Sequence, residues 1–234
     1  NVKSLAALAE KVLAKYAAVA KDELRLYFCI DPIIKNLSVE GDFCCGTGDE
    51  CFDTIVKLVK ATADYKRVRV VNVSGATFSN AGSTIVEELA FTLSAAHDYL
   101  CKLMERGLTI DEAARKIRFT FAVTSNYFLE MAKFRAARML WANIVKAYNP
   151  EKNCACKMFA HAVTSTWNQT VYDPYVNMLR GTTEAMSAAI AGVHSLEVLP
   201  FDYAFEAPTE FSMRIARNSE LLLKYESHFD QVVD

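Results

Sequence analysis

Five short apolar runs, at 24–30, 68–73, 117–123, 156–162 and 194–199, recur along the chain with helix-like segments between them. Each is rich in β-branched, aromatic or cysteine side chains. Runs this short that lack strict polar alternation suit strands buried on both faces. Strands of that kind separated by helices imply parallel pairing, because each return to the same end of a sheet needs a crossover. The expectation is an α/β fold.

The helical segments carry their own signals. Val86, Leu89, Leu93, Ala96, Leu100 and Leu103 fall on one face at 3/4 spacing, as do Val176, Leu179, Thr183, Met186 and Ile190, and again Phe211, Ile215, Asn218, Leu222 and Tyr225. Each stripe is expected to be buried on the sheet. Thr109-Ile110-Asp111-Glu112 has the T-x-x-E pattern of a capping box. Asp31-Pro32 closes the first strand and is expected to cap the next segment. A longer helix, at 126–148, carries Lys133, Arg135 and Arg138 amid aromatic and apolar residues.

Repeated strand-helix units without a G-x-G-x-x-G turn favour a (β/α)8-type barrel over a dinucleotide-binding sheet. Five strands do not close such a barrel. The sequence starts in a helix, at 2–19, and stops where another strand is expected. The reading is therefore a partial (β/α)8 TIM-type barrel of about five parallel strands with crossover helices. No Pro/Gly/Ser tract divides it, so it is taken as one domain over 1–234, a fragment whose missing strands lie outside it or come from another chain. Open strand edges would expose unpaired backbone groups, which predicts self-association or cover by terminal segments.

With 52% hydrophobic residues the chain has ample material for a core. Twenty-six basic against 28 acidic side chains, with no dense Lys/Arg block, argue against nucleic acid as a partner. The most apolar stretches, such as 185–193, fall well short of the roughly 18 residues of a membrane helix, and Asn1-Val2-Lys3 opens no signal peptide. A cytoplasmic location is expected. Seven cysteines (Cys29, Cys44, Cys45, Cys51, Cys101, Cys154 and Cys156) are an odd number in a long chain, which favours free thiols over a disulfide framework. Cys44, Cys45 and Cys51 form one cluster, and a thiol-based redox or metal module built on them is a weaker alternative. A metal site would need about four ligands, and no histidine lies nearby in sequence.

Three stretches carry a resemblance. The long helix contains Lys133-Phe134-Arg135-Ala136-Ala137-Arg138-Met139-Leu140-Trp141. A second helix begins Asp173-Pro174-Tyr175-Val176-Asn177 and continues through Thr182-Thr183-Glu184-Ala185-Met186. A third reads Ala207-Pro208-Thr209-Glu210-Phe211-Ser212-Met213-Arg214-Ile215-Ala216-Arg217-Asn218. In these motifs, in this order, the chain resembles the cobalamin-dependent acyl-CoA mutases, above all the methylmalonyl-CoA mutase family; residues 1–73 match less obviously. The resemblance implies a barrel with a separate C-terminal cobalamin-binding domain, an acyl-CoA threaded along the barrel axis, and a radical 1,2-rearrangement started by cleavage of the cobalt–carbon bond.

The same resemblance singles out the strand ends. Catalytic relatives carry S-G-Y-H followed by A-G after the second strand, the tyrosine packing on the substrate and the histidine hydrogen-bonding its thioester carbonyl. This chain keeps Ser74, Gly75, Ala81 and Gly82 but has Ala76 and Thr77 at the key positions. Alanine cannot donate, and threonine is shorter than imidazole and does not titrate near neutral pH. At the fourth strand relatives read R-T-H-x-Q-T-S-G-W. Here His161, Thr164, Ser165 and Trp167 are retained, while Phe159 and Val163 replace the Arg and Gln. A guanidinium can hold a carboxylate or phosphate bidentately, whereas a phenyl ring only fills space. At the fifth strand relatives read G-G-T-Q-S-L-H-T-N, and the Gln, His and Asn positions hold His194, Glu197 and Leu199.

Losses at three strand ends beside intact helix motifs imply a retained scaffold and a degenerate pocket with no catalytic, cofactor-binding or metal residues. Some members of the family are heterodimers whose small subunit has such a barrel. The chain is expected to be that small (beta) subunit of an isomerase, non-catalytic itself, stabilising a large catalytic subunit. Adenosylcobalamin would act in the holoenzyme and would not bind here, since no D-x-H-x-x-G cobalt-ligand motif occurs. The alternative is an active mutase for a different acyl-CoA, with Thr77, His161, His194 and Glu197 as a remodelled site. Read without the resemblance, His161 and His194 are structural histidines, His97 and His228 lie on helix surfaces, and Glu197 forms an ion pair. Arg135 and Arg138 serve structural ion pairing, and Phe128, Phe134 and Trp141 are core or interface.

Overall fold

The computed structural model describes residues 7, 9, 11–12, 14–16, 20–35 and 48–232. Its strands are β1 (Leu26–Ile30), β2 (Val68–Ser74), β3 (Ile117–Val123), β4 (Ala160–Thr164) and β5 (Ser195–Glu197). Its helices are α1 (Pro32–Lys35), α2 (Gly48–Ala61), α3 (Ala76–Asn80), α4 (Ile85–Glu105), α5 (Ile110–Ala114), α6 (Tyr127–Lys146), α7 (Val176–Ile190) and α8 (Glu210–Tyr225). The strands form one sheet in the order β1-β2-β3-β4-β5, with parallel pairing. Sequential order with helical crossovers is the α/β pattern of a partial (β/α)8 barrel, as the apolar runs imply. No helix among the described residues is long and apolar enough to cross a membrane.

The chain divides into two compact units. One comprises Asn1–Val73, Leu93–Arg118 and Trp141–Lys157, the other Ser74–Thr92, Phe119–Leu140 and Met158–Asp234. In the first, Leu26 pairs with Val68 and Tyr27 with Arg69. Val68, Val70, Ile55, Leu100, Leu103, Trp141 and Val145 are fully buried around them. Asp31 caps α1 by accepting from the Ile34 amide at 3.2 Å, as expected, and the buried Tyr99 hydroxyl donates to the same oxygen at 2.7 Å while accepting from the Ile33 amide. The Thr109–Glu112 capping box is present at α5.

In the second unit β3 pairs with β4 from Phe119↔Ala160 to Val123↔Thr164, and β4 with β5 from His161↔Ser195 to Val163↔Glu197. Phe121 meets Phe134 of α6 edge-on at 5.7 Å. Below the end of β3 lies a buried charge network. The Lys133 ammonium contacts the carboxylates of Glu88 and Glu130 and donates to the Ala122 carbonyl, while the Ala122 amide donates to Glu88 and the Thr124 amide and hydroxyl donate to Glu130. Burial raises the Glu88 carboxyl above its ordinary value, against the opposing pull of Lys133. The Arg138 guanidinium donates to the carbonyls of Ala191 and Gly192 just past α7.

Three expectations need correction. The fourth strand begins at Ala160 rather than 156. Asn153–Cys156 form a 3-10 turn, held after the Glu151 and Lys152 amides donate to the Asp111 carboxylate, and pairing starts only where β3 offers Phe119. The stripe on α4 is buried from Leu93 onward, but Val86 is exposed. The stripes proposed for α7 and α8 are not the buried faces: Leu179 is 70% exposed, and Phe211, Leu222 and Tyr225 are exposed. The buried residues there are Asn177, Gly181, Glu184, Ala185, Ser187 and Ala188 on α7 and Ser212, Ala216 and Leu223 on α8. Small side chains permit close approach, and the polar ones are satisfied locally; Ser187, for example, donates to the Tyr127 carbonyl.

Candidate functional site at the strand ends

Alternation along β4 puts positions 159, 161 and 163 on one face, with Ser195 and Glu197 of β5 beside them through the parallel register. The three fourth-strand positions that the resemblance singles out therefore share one surface. His161 is the second residue of β4 and is 7% exposed. Its Nδ1 lies 2.9 Å from the Ser195 hydroxyl, and its Nε2 faces the exposed Glu197 carboxylate at 3.6 Å, beyond hydrogen-bond length. Glu220 of α8 accepts from the Val198 amide at 2.9 Å, and burial raises its carboxyl, with Glu197 adding to the rise.

His194 is held elsewhere. It precedes β5, its ring stacks against Phe159 at 4.5 Å, its Nδ1 accepts from the Ala160 amide at 3.3 Å, and it lines a cavity of ≈640 Å³ with Ala189, Glu220 and Leu223. Phe159 thus covers a neighbour where an arginine would reach for an anion. Val163 is half-buried, and Leu199 donates its amide to the Thr164 hydroxyl at 2.9 Å.

Ala76 opens the short helix α3 and is 7% exposed; Thr77 is exposed, with its hydroxyl 3.3 Å from that of Ser74. Gly75 is retained for space. A Cβ there would stand 2.3 Å from the Thr92 hydroxyl and 3.2 Å from the Phe121 ring. Gly82 has φ +98° and lies under the Trp167 indole, 3.0 Å from where a Cβ would sit. The Asn80 side-chain oxygen accepts from the Ser165 hydroxyl at 3.2 Å and from the Thr166 amide at 3.1 Å, joining the end of α3 to the loop after β4.

Two polar features were not anticipated from sequence. Glu184, inside the second helix motif, is buried, accepts from the Ser165 amide and the Asn168 side chain, and is pushed up to about 7 by burial. The Glu88–Lys133–Glu130 network is the other. A glutamate in a helical repeat reads as solvent-facing, and nothing local marks it as buried. Lys133 stands in the first helix motif, which was the one available hint.

Of the remaining candidates, His97 and His228 are exposed, Phe134 and Trp141 are core, and Phe128 is exposed. Cys44 and Cys45 lie outside the described residues. Cys51 is buried, Cys29, Cys51, Cys101, Cys154 and Cys156 are free, and no cluster of three or more metal-ligating side chains occurs among the described residues. Thr77 leans on Ser74, His194 on Phe159 and Ala160, and His161 faces Glu197.

The sequence model of the methylmalonyl-CoA mutase family matches residues 2–234. The chain is 49% identical over 178 residues to the methylmalonyl-CoA mutase small subunit of Porphyromonas gingivalis, which covers 76% of this chain and 29% of that protein. It is 39% identical over 181 residues to the methylmalonyl-CoA mutase of Rhizobium meliloti, 77% of this chain and 25% of the relative. Its match to the methylmalonyl-CoA mutase small subunit of Streptomyces virginiae is 34% over 232 residues, 98% of this chain and 36% of that subunit. The likeness therefore extends into the first 73 residues, and the chain spans about a quarter to a third of the length of these relatives.

Proposed function

Because the chain belongs to the methylmalonyl-CoA mutase family, we propose that it is part of the small subunit of a heterodimeric mutase, non-catalytic itself and stabilising the large subunit. The holoenzyme would interconvert methylmalonyl-CoA and succinyl-CoA with adenosylcobalamin. In this reading residues 1–234 are a piece of the subunit's barrel domain, acting in the cytoplasm. The names of the Porphyromonas gingivalis and Streptomyces virginiae relatives favour it.

The observation that carries the proposal is the state of the strand-end groups. Ala76, Phe159, Val163 and Leu199 offer no polar side chain, Thr77 leans on Ser74, and the retained His161 turns its Nδ1 to Ser195. Thr164, Ser165, Trp167 and Gly82 keep family identities and serve loop-to-loop contacts. Exposed apolar side chains on α7 and α8, Leu179, Phe211, Met213, Leu222 and Tyr225 among them, are consistent with surface meant for contact with more protein.

The rival reading, an active mutase for another acyl-CoA, needs Thr77, His161, His194 and Glu197 around one substrate, and their separate commitments weigh against it. Full-length small subunit supplied with adenosylcobalamin and methylmalonyl-CoA should show no turnover alone and should co-purify with the large subunit. Turnover by the small subunit alone would overturn the proposal.

A further inference from the structure

In the first unit a cavity of ≈390 Å³ lies between the end of α2, helix α5 and the loop at 149–152. It is lined by residues that precede β2 and β3, such as Tyr65 and Lys116, and Ala76 and Thr77 are not among its lining. Its volume falls in the range of small-molecule sites.

The charges around it are unevenly committed. Asp111 spends both carboxylate oxygens on the Glu151 and Lys152 amides, and Glu112 spends its carboxylate on the Thr109 amide and hydroxyl. Lys66 is paired with Asp22. The lining thus carries four cations, Lys66, Arg115, Lys116 and Lys152, and three carboxylates, Asp111, Glu112 and Glu151, of which Asp111 and Glu112 keep their charge while turned to neutral donors. Among the described residues neither the Arg115 guanidinium nor the Lys152 ammonium makes a hydrogen bond. Lys116 is 6% exposed, and its ammonium donates to the carbonyls of Thr62 and Tyr65, at 2.5 and 2.9 Å. An ammonium has three N–H bonds, so one donor of this buried group remains without an acceptor among the described residues.

We propose that this cavity binds a phosphate dianion, either free phosphate or a small phosphate monoester, held by Arg115, Lys116 and Lys152. An arginine fork and two ammonium groups, Arg115 and Lys116 from one segment and Lys152 from another, suit a tetrahedral group with oxygens in several directions better than a planar carboxylate. An unpaired buried donor is costly, and an anion would satisfy it. Burial, with Arg69 and Arg115 crowding the same amine, lowers Lys116 to about 8, and a bound anion would relieve that crowding. The site is independent of the strand-end pocket and of the subunit role.

The test is calorimetric titration of the full-length protein with inorganic phosphate, glycerol 3-phosphate and succinate at matched ionic strength. Saturable binding of either phosphate, with succinate about tenfold weaker or more, is expected; such a step corresponds to about 1.4 kcal/mol. Tighter glycerol 3-phosphate identifies a monoester, and equal affinity identifies free phosphate. Arg115→Ala and Lys152→Ala should each weaken binding about five- to tenfold, and Glu151→Gln should tighten it about twofold, as expected for charge-assisted contacts near a surface. Both Arg115 and Lys152 reach solvent, so their variants remain informative where Lys116→Met fails to fold. Absence of saturable binding, succinate binding as tightly as phosphate, or wild-type affinity in Arg115→Ala would overturn the proposal.

Discussion

The Lys133 ammonium lies 2.7 Å from the Glu88 carboxylate with neither side chain more than 2% exposed, and this contact joins α4 to α6 beneath the end of β3. Glu130 completes the group, giving two buried carboxylates and one cation. Removing the cation leaves both carboxylates and the Ala122 carbonyl without their shared partner. Lys133→Met should therefore cost about 3–5 kcal/mol in urea-induced unfolding. Combining it with Glu88→Gln and Glu130→Gln should recover part of that loss; a triple variant less stable than the single one would contradict the assignment.

Glu184 sets a pH dependence. Its carboxyl titrates at about 7 in the fold against an ordinary 4.5, so between those values the folded chain holds a proton that the unfolded chain has released. Stability should therefore fall as pH rises across that window, by about 3 kcal/mol in all. Glu184→Gln removes the titration. Unfolding free energies at pH 5 and pH 8 should differ by a few kcal/mol less in the variant than in the wild type, and parallel pH profiles would refute this.

Gly75 has no room for a methyl group. The nearest obstacle, the Thr92 hydroxyl, is anchored by donating to the Glu88 carbonyl at 2.6 Å, and the Phe121 ring and Thr120 carbonyl close the other sides. Gly75→Ala should lower the denaturation midpoint by the equivalent of about 1–3 kcal/mol. A wild-type midpoint would mean that α3 can shift freely.

The two altered positions after Gly75 should respond oppositely to the residues of catalytic relatives. Ala76 is buried, so Ala76→Tyr overpacks and should cost about 1–3 kcal/mol. Thr77 is exposed, and Thr77→His should stay within about 0.5 kcal/mol of wild type. Differential scanning of both variants tests whether the pocket has closed at one position and stayed open at the next.

The sequence reading succeeded where one side-chain property determines burial. β2 and β3 stand out because Val, Ile and Phe dominate them and both faces are covered. The start of β4 was not legible, because Cys156, Met158 and Phe159 are as apolar as the strand itself; what fixes the start of the preceding turn is Asp111, some 40 residues away, capturing two amides. The α7 and α8 stripes misled for a related reason. Hydrophobic periodicity assumes that large apolar residues face the core, while here Gly181, Ala185, Ser187 and Ala216 do so and the bulky residues face outward. At the pocket, individual substitutions were visible in sequence. That His161 and His194 serve separate neighbours was not, because strand register and ring contacts decide it.

Asn80 accepts from both Ser165 and Thr166, so one amide oxygen fastens the end of α3 to the loop that follows β4. A frame tied together in this way does not depend on what its inward-facing side chains can do. Side chains around that junction can differ in chemistry while the two segments keep their separation.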